Sequence, residues 1–180
     1  MVPEAELEQT EQGLVPKGPG WYVLNARDAS WWGAEGRGAY SQFEGEPGFD
    51  QLGISLVTLA PGEAMAMYHW EEDEEDFLVL AGEAVLVVEG EERPLRAWDF
   101  VHCPPGTKHV IVGAGESRCL LVAVGARDKS VGENWGGYTV DETAAKHGVS
   151  VDHDTTSADE AYAKLPRRSP TRFRDGWLPG

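Results

Sequence analysis

A chain of 180 residues is long enough for one domain with a substantial core and short for two. Its formal charge of −16, from 15 basic against 31 acidic side chains, opposes binding to nucleic acid or to an anionic membrane, since either needs a basic surface. A hydrophobic content of 41% is ordinary for a soluble globular protein, and 22 glycines with 11 prolines favour short strands and turns over long helices.

The sequence opens Met1-Val2-Pro3-Glu4, with no apolar stretch suited to a secretory leader, and no run reaches the roughly eighteen apolar residues that span a bilayer. A cytoplasmic location with no membrane partner is therefore expected. Cys103 and Cys119 are too few for a disulfide framework; reduced thiols are the simpler expectation, a single bridge the alternative.

In chain order, residues 1–19 are polar and carry Pro3, Pro16 and Pro19, which predicts an extended arm or a frayed end. Residues 21–24 predict a first strand, and the stretch through Trp31, Trp32 and Tyr40 a loop-rich approach to the core. From residue 52 the texture changes. Strands are predicted at 54–59, 64–70, 77–80, 84–88, 100–103, 110–112 and 119–124, with a turn at Pro61-Gly62, a break at Gly82 and a polar closure at 89–92. Strands of four to seven residues between Gly/Pro turns indicate a sandwich or closed barrel, and the nearly continuous apolar runs indicate cover on both faces. Beyond Ala126, residues 141–147 predict a short helix stopped at Gly148. Ser157 and Glu160 have capping-box spacing for a second helix through Lys164. The basic segment 167–180 is expected to lie across the acidic body. The organisation is thus an N-terminal part at 1–51, a barrel core at 52–125 and a C-terminal extension at 126–180.

Chemistry concentrates around residues 65–75. In a strand alternate residues share a face, so Met65, Met67, His69 and Glu71 are expected to point one way, Ala66, Tyr68 and Trp70 the other. Two thioethers, an imidazole and a carboxylate make a poor pure core, because burying an unpaired carboxylate is costly and a bound cation supplies the missing charge. In the run of six acids from Glu71 to Asp76, the bland reading is a solvated loop, which fits Glu72, Asp73, Glu74 and Asp76. His147, Asp152, His153 and Asp154 likewise read as solvated. His102 and Cys103 lie close to the chemistry in sequence, but one of the two must face away.

The segment Pro61-Gly62 … His69-Trp70-Glu71 … Glu75 … Gly82 resembles the first motif of the cupin family, and Asp99 … Pro104-Pro105-Gly106-Thr107-Lys108-His109 resembles the second. Two motifs in the right order and spacing make the resemblance specific over some seventy residues. It implies an all-β fold, the double-stranded β-helix or jelly-roll-type barrel, with an N-terminal arm and short C-terminal helices. It also implies a metal site of His69, Glu75 and His109, with Glu71 where the family usually has a second histidine. Trp98 replaces the motif's glycine before Asp99. Glu71 is then a fourth ligand or a nearby catalytic base, and Met65, Met67 and Phe77 are pocket wall. Two histidines with one or two carboxylates suit a divalent transition metal such as Fe, Mn, Zn or Ni.

The family spans dioxygenases, isomerases, lyases, storage proteins and sensors, so the expected function is a metalloenzyme acting on a small oxygen-rich metabolite, reaction type open. The alternatives are a metal- or metabolite-binding module without turnover, and a metal-free structural barrel. Outward Tyr68 and Trp70 give apolar surface to be covered by the chain's own extension or by a second copy, and the family resemblance favours a homodimer.

Overall fold

The computed structural model describes residues 1–128 and 135–179. The central strands are β5 (Leu52–Leu59), β6 (His69–Glu71), β7 (Glu75–Ala81), β8 (Glu83–Val88), β9 (Glu91–Arg96), β10 (Phe100–Cys103), β11 (His109–Ala114) and β12 (Cys119–Ala126). Before them come β1 (Glu6–Thr10), β2 (Gly13–Lys17), β3 (Trp31–Ala34) and β4 (Arg37–Ser41); after them β13 (Gly136–Tyr138), α1 (Glu142–Lys146), α2 (Ala158–Ala161) and β14 (Ser169–Thr171). A seven-stranded antiparallel sheet in the order β10-β7-β12-β5-β4-β3-β14 faces a five-stranded one in the order β13-β6-β11-β8-β9. This is the expected jelly-roll-type barrel of two antiparallel sheets, mostly β with short helices near the C-terminus.

Strand alternation explains the layers. On β8 and β11, Ala84, Leu86 and Ile111 point inward to meet Val57, Leu59, Phe77, Val79 and Leu121 from the other sheet. The intervening Val87, Val110 and Val112 point outward and are buried all the same, against Tyr68, Ala144 and Val149. The predicted two-sided cover is thus real, and the C-terminal extension supplies it on this face. Tyr68, its outward face expected to be covered by the chain's own extension or by a second copy, is 1% exposed beneath that extension. On the opposite face, Trp31 donates its indole N–H to the Ala26 carbonyl at 2.8 Å and packs on Trp177 with ring centroids 5.2 Å apart. The basic tail does lie across the body, held by pairing of β14 with β3 and by Arg168, which donates to the carbonyls of Gly38 and Met65.

Several expectations are corrected. Residues 1–19 are not a loose arm, because β1 and β2 form a hairpin. Trp21 makes one isolated bridge, to Glu4, instead of opening a strand. The aromatic, glycine-rich stretch holds β3 and β4, and the polar closure at 89–92 begins β9, whose Glu, Arg and Pro residues suit an edge strand with one open side. The predicted strand at 64–70 is regular only from His69. Helix α1 is capped by the Asp141 side chain and ends before Gly148 at φ +70°, whereas α2, capped by Ser157, stops at Ala161 instead of continuing to Lys164. Cys103 and Cys119 are both free and buried. Trp98, where the motif has glycine, has a left-handed backbone at φ +77° and so is strained.

Candidate metal centre

His69 opens β6, Glu75 opens β7 and His109 opens β11, and all three stand on inward-facing positions. The parity is set by the core: Glu75 shares a face with Phe77 and Val79, and His109 shares one with Ile111. His69 and His109 are direct partners across the β6–β11 ladder, with ring centroids 4.8 Å apart. Glu75 pairs with Cys103 on one side and Gly125 on the other.

Each imidazole is fixed by a backbone carbonyl two residues before it. His69 Nδ1 donates to the Met67 carbonyl at 2.8 Å, and His109 Nδ1 to the Thr107 carbonyl at 3.0 Å. A carbonyl only accepts, so Nδ1 carries the hydrogen and Nε2 presents its lone pair inward, the arrangement that orients histidine ligands. The second motif's turn has a visible purpose here. The Thr107 N–H and hydroxyl both bond to the Pro104 carbonyl, at 3.1 and 2.7 Å, and Gly106 N–H donates to the Glu71 carbonyl at 2.7 Å, which aims the Thr107 carbonyl at His109.

Glu75 Oε2 lies 3.2 Å from His109 Nε2 and 3.8 Å from His69 Nε2. Both Glu75 Oε2 and His109 Nε2 are buried with no hydrogen-bond partner. Leaving such atoms unpaired costs about 1–3 kcal/mol each. The three ligand atoms fall within 4.8 Å of one another, and donors around a first-row ion bound at about 2.0–2.2 Å stand roughly 3–4 Å apart. The residues therefore fit a divalent cation. Burial works against charging His109, yet the Cys103 thiol and the Glu75 carboxylate beside it outweigh burial, and its pKa is pushed up to about 10. The cavity favours positive charge. Among the described residues this is the one cluster of metal-ligating side chains.

The remaining candidates separate. Glu71 is not in the cluster; its Oε1 lies 3.6 Å from His69 Nε2 at the rim, with the side chain 31% exposed. Phe77 is buried, its ring centroid 5.4 Å from that of His109, and Met65 packs against the same core. Met67 departs from the expected shared face: the backbone before His69 is irregular, and Met67 packs with Tyr138, Val151 and Ala161 in a separate cluster. Cys103 faces inward, whereas His102 faces out and bonds Asp76 at 2.7 Å. Of the acidic run, Glu74 is exposed and Asp73 accepts from Asp128 N–H. His147 pairs with Glu92, Asp152 with Lys164, and Asp154 accepts from Val140 N–H, in keeping with a solvated surface.

Sequence reasoning missed the support for His69. Met67 N–H donates to the Tyr162 hydroxyl at 3.1 Å, Tyr68 N–H to the Val149 carbonyl at 2.7 Å, and Arg168 to the Met65 carbonyl at 3.0 Å. The segment that delivers His69 is thus held by residues of the C-terminal extension. Nothing local in the sequence marks Tyr162 or Arg168 for this. Tyr138, whose ring centroid is 6.1 Å from that of His69, also comes from that extension, and burial raises its pKa.

No curated protein matches the chain. Among solved structures it is similar to a sugar phosphate isomerase of a cupin superfamily from Silicibacter pomeroyi (26% identity, TM-score 0.47, 51% of this chain and 60% of that one). It is also similar to a DMSP lyase from Ruegeria pomeroyi (28%, 0.44, 51% and 48%). A polyketide cyclase from Streptomyces resistomycificus is a third (20%, 0.46, 51% and 66%). The chain thus spans about half to two thirds of those proteins. The family model for the cupin domain matches residues 55–125, the segment that carries His69, Glu75 and His109.

Proposed function

We propose that the barrel holds a divalent transition metal, of the Fe, Mn, Zn or Ni type, and acts as a metalloenzyme on a small oxygen-rich metabolite. The observation that carries this reading is the pair of buried, unpartnered atoms, Glu75 Oε2 and His109 Nε2, 3.2 Å apart beside His69. When bound, such an ion supplies Lewis acidity toward a carbonyl or hydroxyl oxygen. His69, Glu75 and His109 hold it, with the Met67 and Thr107 carbonyls engaging both Nδ1 atoms so that both Nε2 atoms face it. Phe77 and Met65 form an apolar wall that keeps water from the ligands. Glu71, at the half-open rim, is placed to accept a proton from the substrate as a general base.

Elemental analysis of untagged protein tests the reading, beside a His109→Ala variant. Near-stoichiometric metal in the parent and its loss in the variant are expected. A parent that takes up none of the four ions, even on reconstitution, removes the metalloenzyme reading. A homodimer is part of the same proposal: β10 is the edge of its sheet, and Phe100 on it is 64% exposed. Sedimentation velocity with Phe100→Lys checks it, a shift to monomer being expected.

A further inference from the structure

In so acidic a chain, cations are expected to find carboxylates, and several do: Lys17 pairs with Glu8, Arg93 with Glu91, Arg127 with Glu44 and Arg167 with Asp159. One region departs from this. β11 runs from His109 to Ala114, away from the metal centre, and Arg118 follows at that far end, just before β12. There, three arginines from segments remote in sequence line a single cleft: Arg37 from the start of β4, Arg118, and Arg174 from the C-terminal tail. Ser169 and Thr171 line it too.

Arg118 donates to Glu63 Oε2 at 3.1 Å. Arg37 donates to the Pro166 carbonyl at 2.9 Å and stacks on the Tyr162 ring, 4.6 Å from its centroid. Arg174 stacks on the Trp177 ring at 5.5 Å. Among the described residues, neither Arg37 nor Arg174 has a carboxylate within ion-pair distance. A fourth guanidinium, Arg168, is engaged by carbonyl oxygens on the neighbouring stretch of chain; its pKa is lowered, first by burial and then by Arg37. Glu35, at the exposed hairpin tip, is the other carboxylate on the cleft. Each guanidinium has five N–H donors in a planar fork, and most of those on Arg37, Arg118 and Arg174 have no partner among the described residues. Gathering like charges costs Coulomb energy that a bound anion removes, and a concave site strengthens its own field.

We infer that this arginine cleft is an anion site, separate from the metal centre, that takes a small oxyanion: a phosphate ester or a carboxylate. Forked donors match the paired oxygens of either group, and the two hydroxyl side chains add neutral donors. The inference does not depend on the metal reading.

Calorimetric titration of the protein with inorganic phosphate, and separately with acetate, tests it at low ionic strength, with amide NMR shifts locating the ligand. Saturable one-site binding is expected, with shifts confined to residues 33–37, 117–118 and 169–174. The anion that saturates these resonances identifies the ligand class. Arg174→Gln, an exposed change that leaves the core intact, and Arg118→Gln are each expected to weaken binding at least tenfold. Saturation by neither anion, unchanged affinity in Arg174→Gln, or shifts confined to the surroundings of His69 and His109 would overturn the inference.

Discussion

His69 and His109 are directly paired across two antiparallel strands, and each ring is pinned through Nδ1 to the carbonyl two residues before it. The symmetry makes the two Nε2 atoms converge before any cation arrives, so binding requires little reordering of the two rings. Replacing either ring by alanine is expected to lower metal affinity by roughly 100-fold or more while the strands stay paired through their backbones. Competitive titration against a chelator, with far-ultraviolet circular dichroism as the folding control, measures it.

Glu75 and Glu71 are expected to behave differently. Glu75→Gln removes the buried carboxylate that faces both histidines, so metal content should fall to near zero. Glu71→Gln should retain stoichiometric metal, because Glu71 stands outside the three-residue cluster. Equal loss of metal in both variants would place Glu71 among the ligands and remove its role as a base.

The Tyr162 hydroxyl supports His69 through Met67, whose N–H it accepts. Tyr162→Phe deletes the acceptor for Met67 N–H and leaves the ring packing in place. An expected loss of about 3- to 10-fold in metal affinity, with unchanged circular dichroism, follows from loosening a ligand's support. An unaltered affinity would show that Met67 is held well enough by its packing.

Trp98 is strained and 74% exposed, so glycine there relieves the left-handed backbone at little loss of packing. Trp98→Gly is expected to raise unfolding stability by roughly 0.5–1 kcal/mol, a gain held below the full strain by glycine's greater unfolded-state entropy. Denaturant titration reads it as a higher midpoint at constant slope.

The Glu44–Arg127 pair gives a pH dependence. Arg127 donates to both Glu44 oxygens, at 2.6 and 2.9 Å, and these bonds hold the Glu44 carboxyl below the usual carboxylate range. A carboxyl whose pKa is lower folded than unfolded binds its proton more readily in the unfolded chain. Its contribution is therefore present above the unfolded pKa and lost as pH falls through the folded one. Arg127 is partly exposed, so Glu44→Gln should cost only about 1 kcal/mol near neutrality. That difference from the parent should vanish in acid; a difference that persists below both pKa values would assign it to packing.

Much of the barrel was legible because its signals are local. Runs such as Ala84-Val85-Leu86-Val87-Val88 announce strands by composition, and β8, β10 and β12 lie where composition puts them. The two motifs placed His69, Glu75 and His109 at one centre because their spacing to Pro-Gly turns is a property of short segments. Less visible were β9, whose charged edge reads as a turn, and β3 with β4, whose glycines and single tryptophans do not alternate. The expected strand through 64–70 failed for a related reason: the backbone there bonds to Tyr162, Val149 and Arg168 instead of continuing a ladder, which sends Met67 away from His69.

The fold class, the strands of the barrel's middle and the convergence of His69, Glu75 and His109 were thus legible from sequence alone. Alternation and turn spacing are written within a few residues of each other. Only the tertiary structure decided what holds His69 in place, where Glu71 stands, and that three arginines separated by 81 and 56 positions share one cleft. Those relationships depend on contacts closed across long stretches of chain, and no local pattern of residue types encodes which distant segment will meet them.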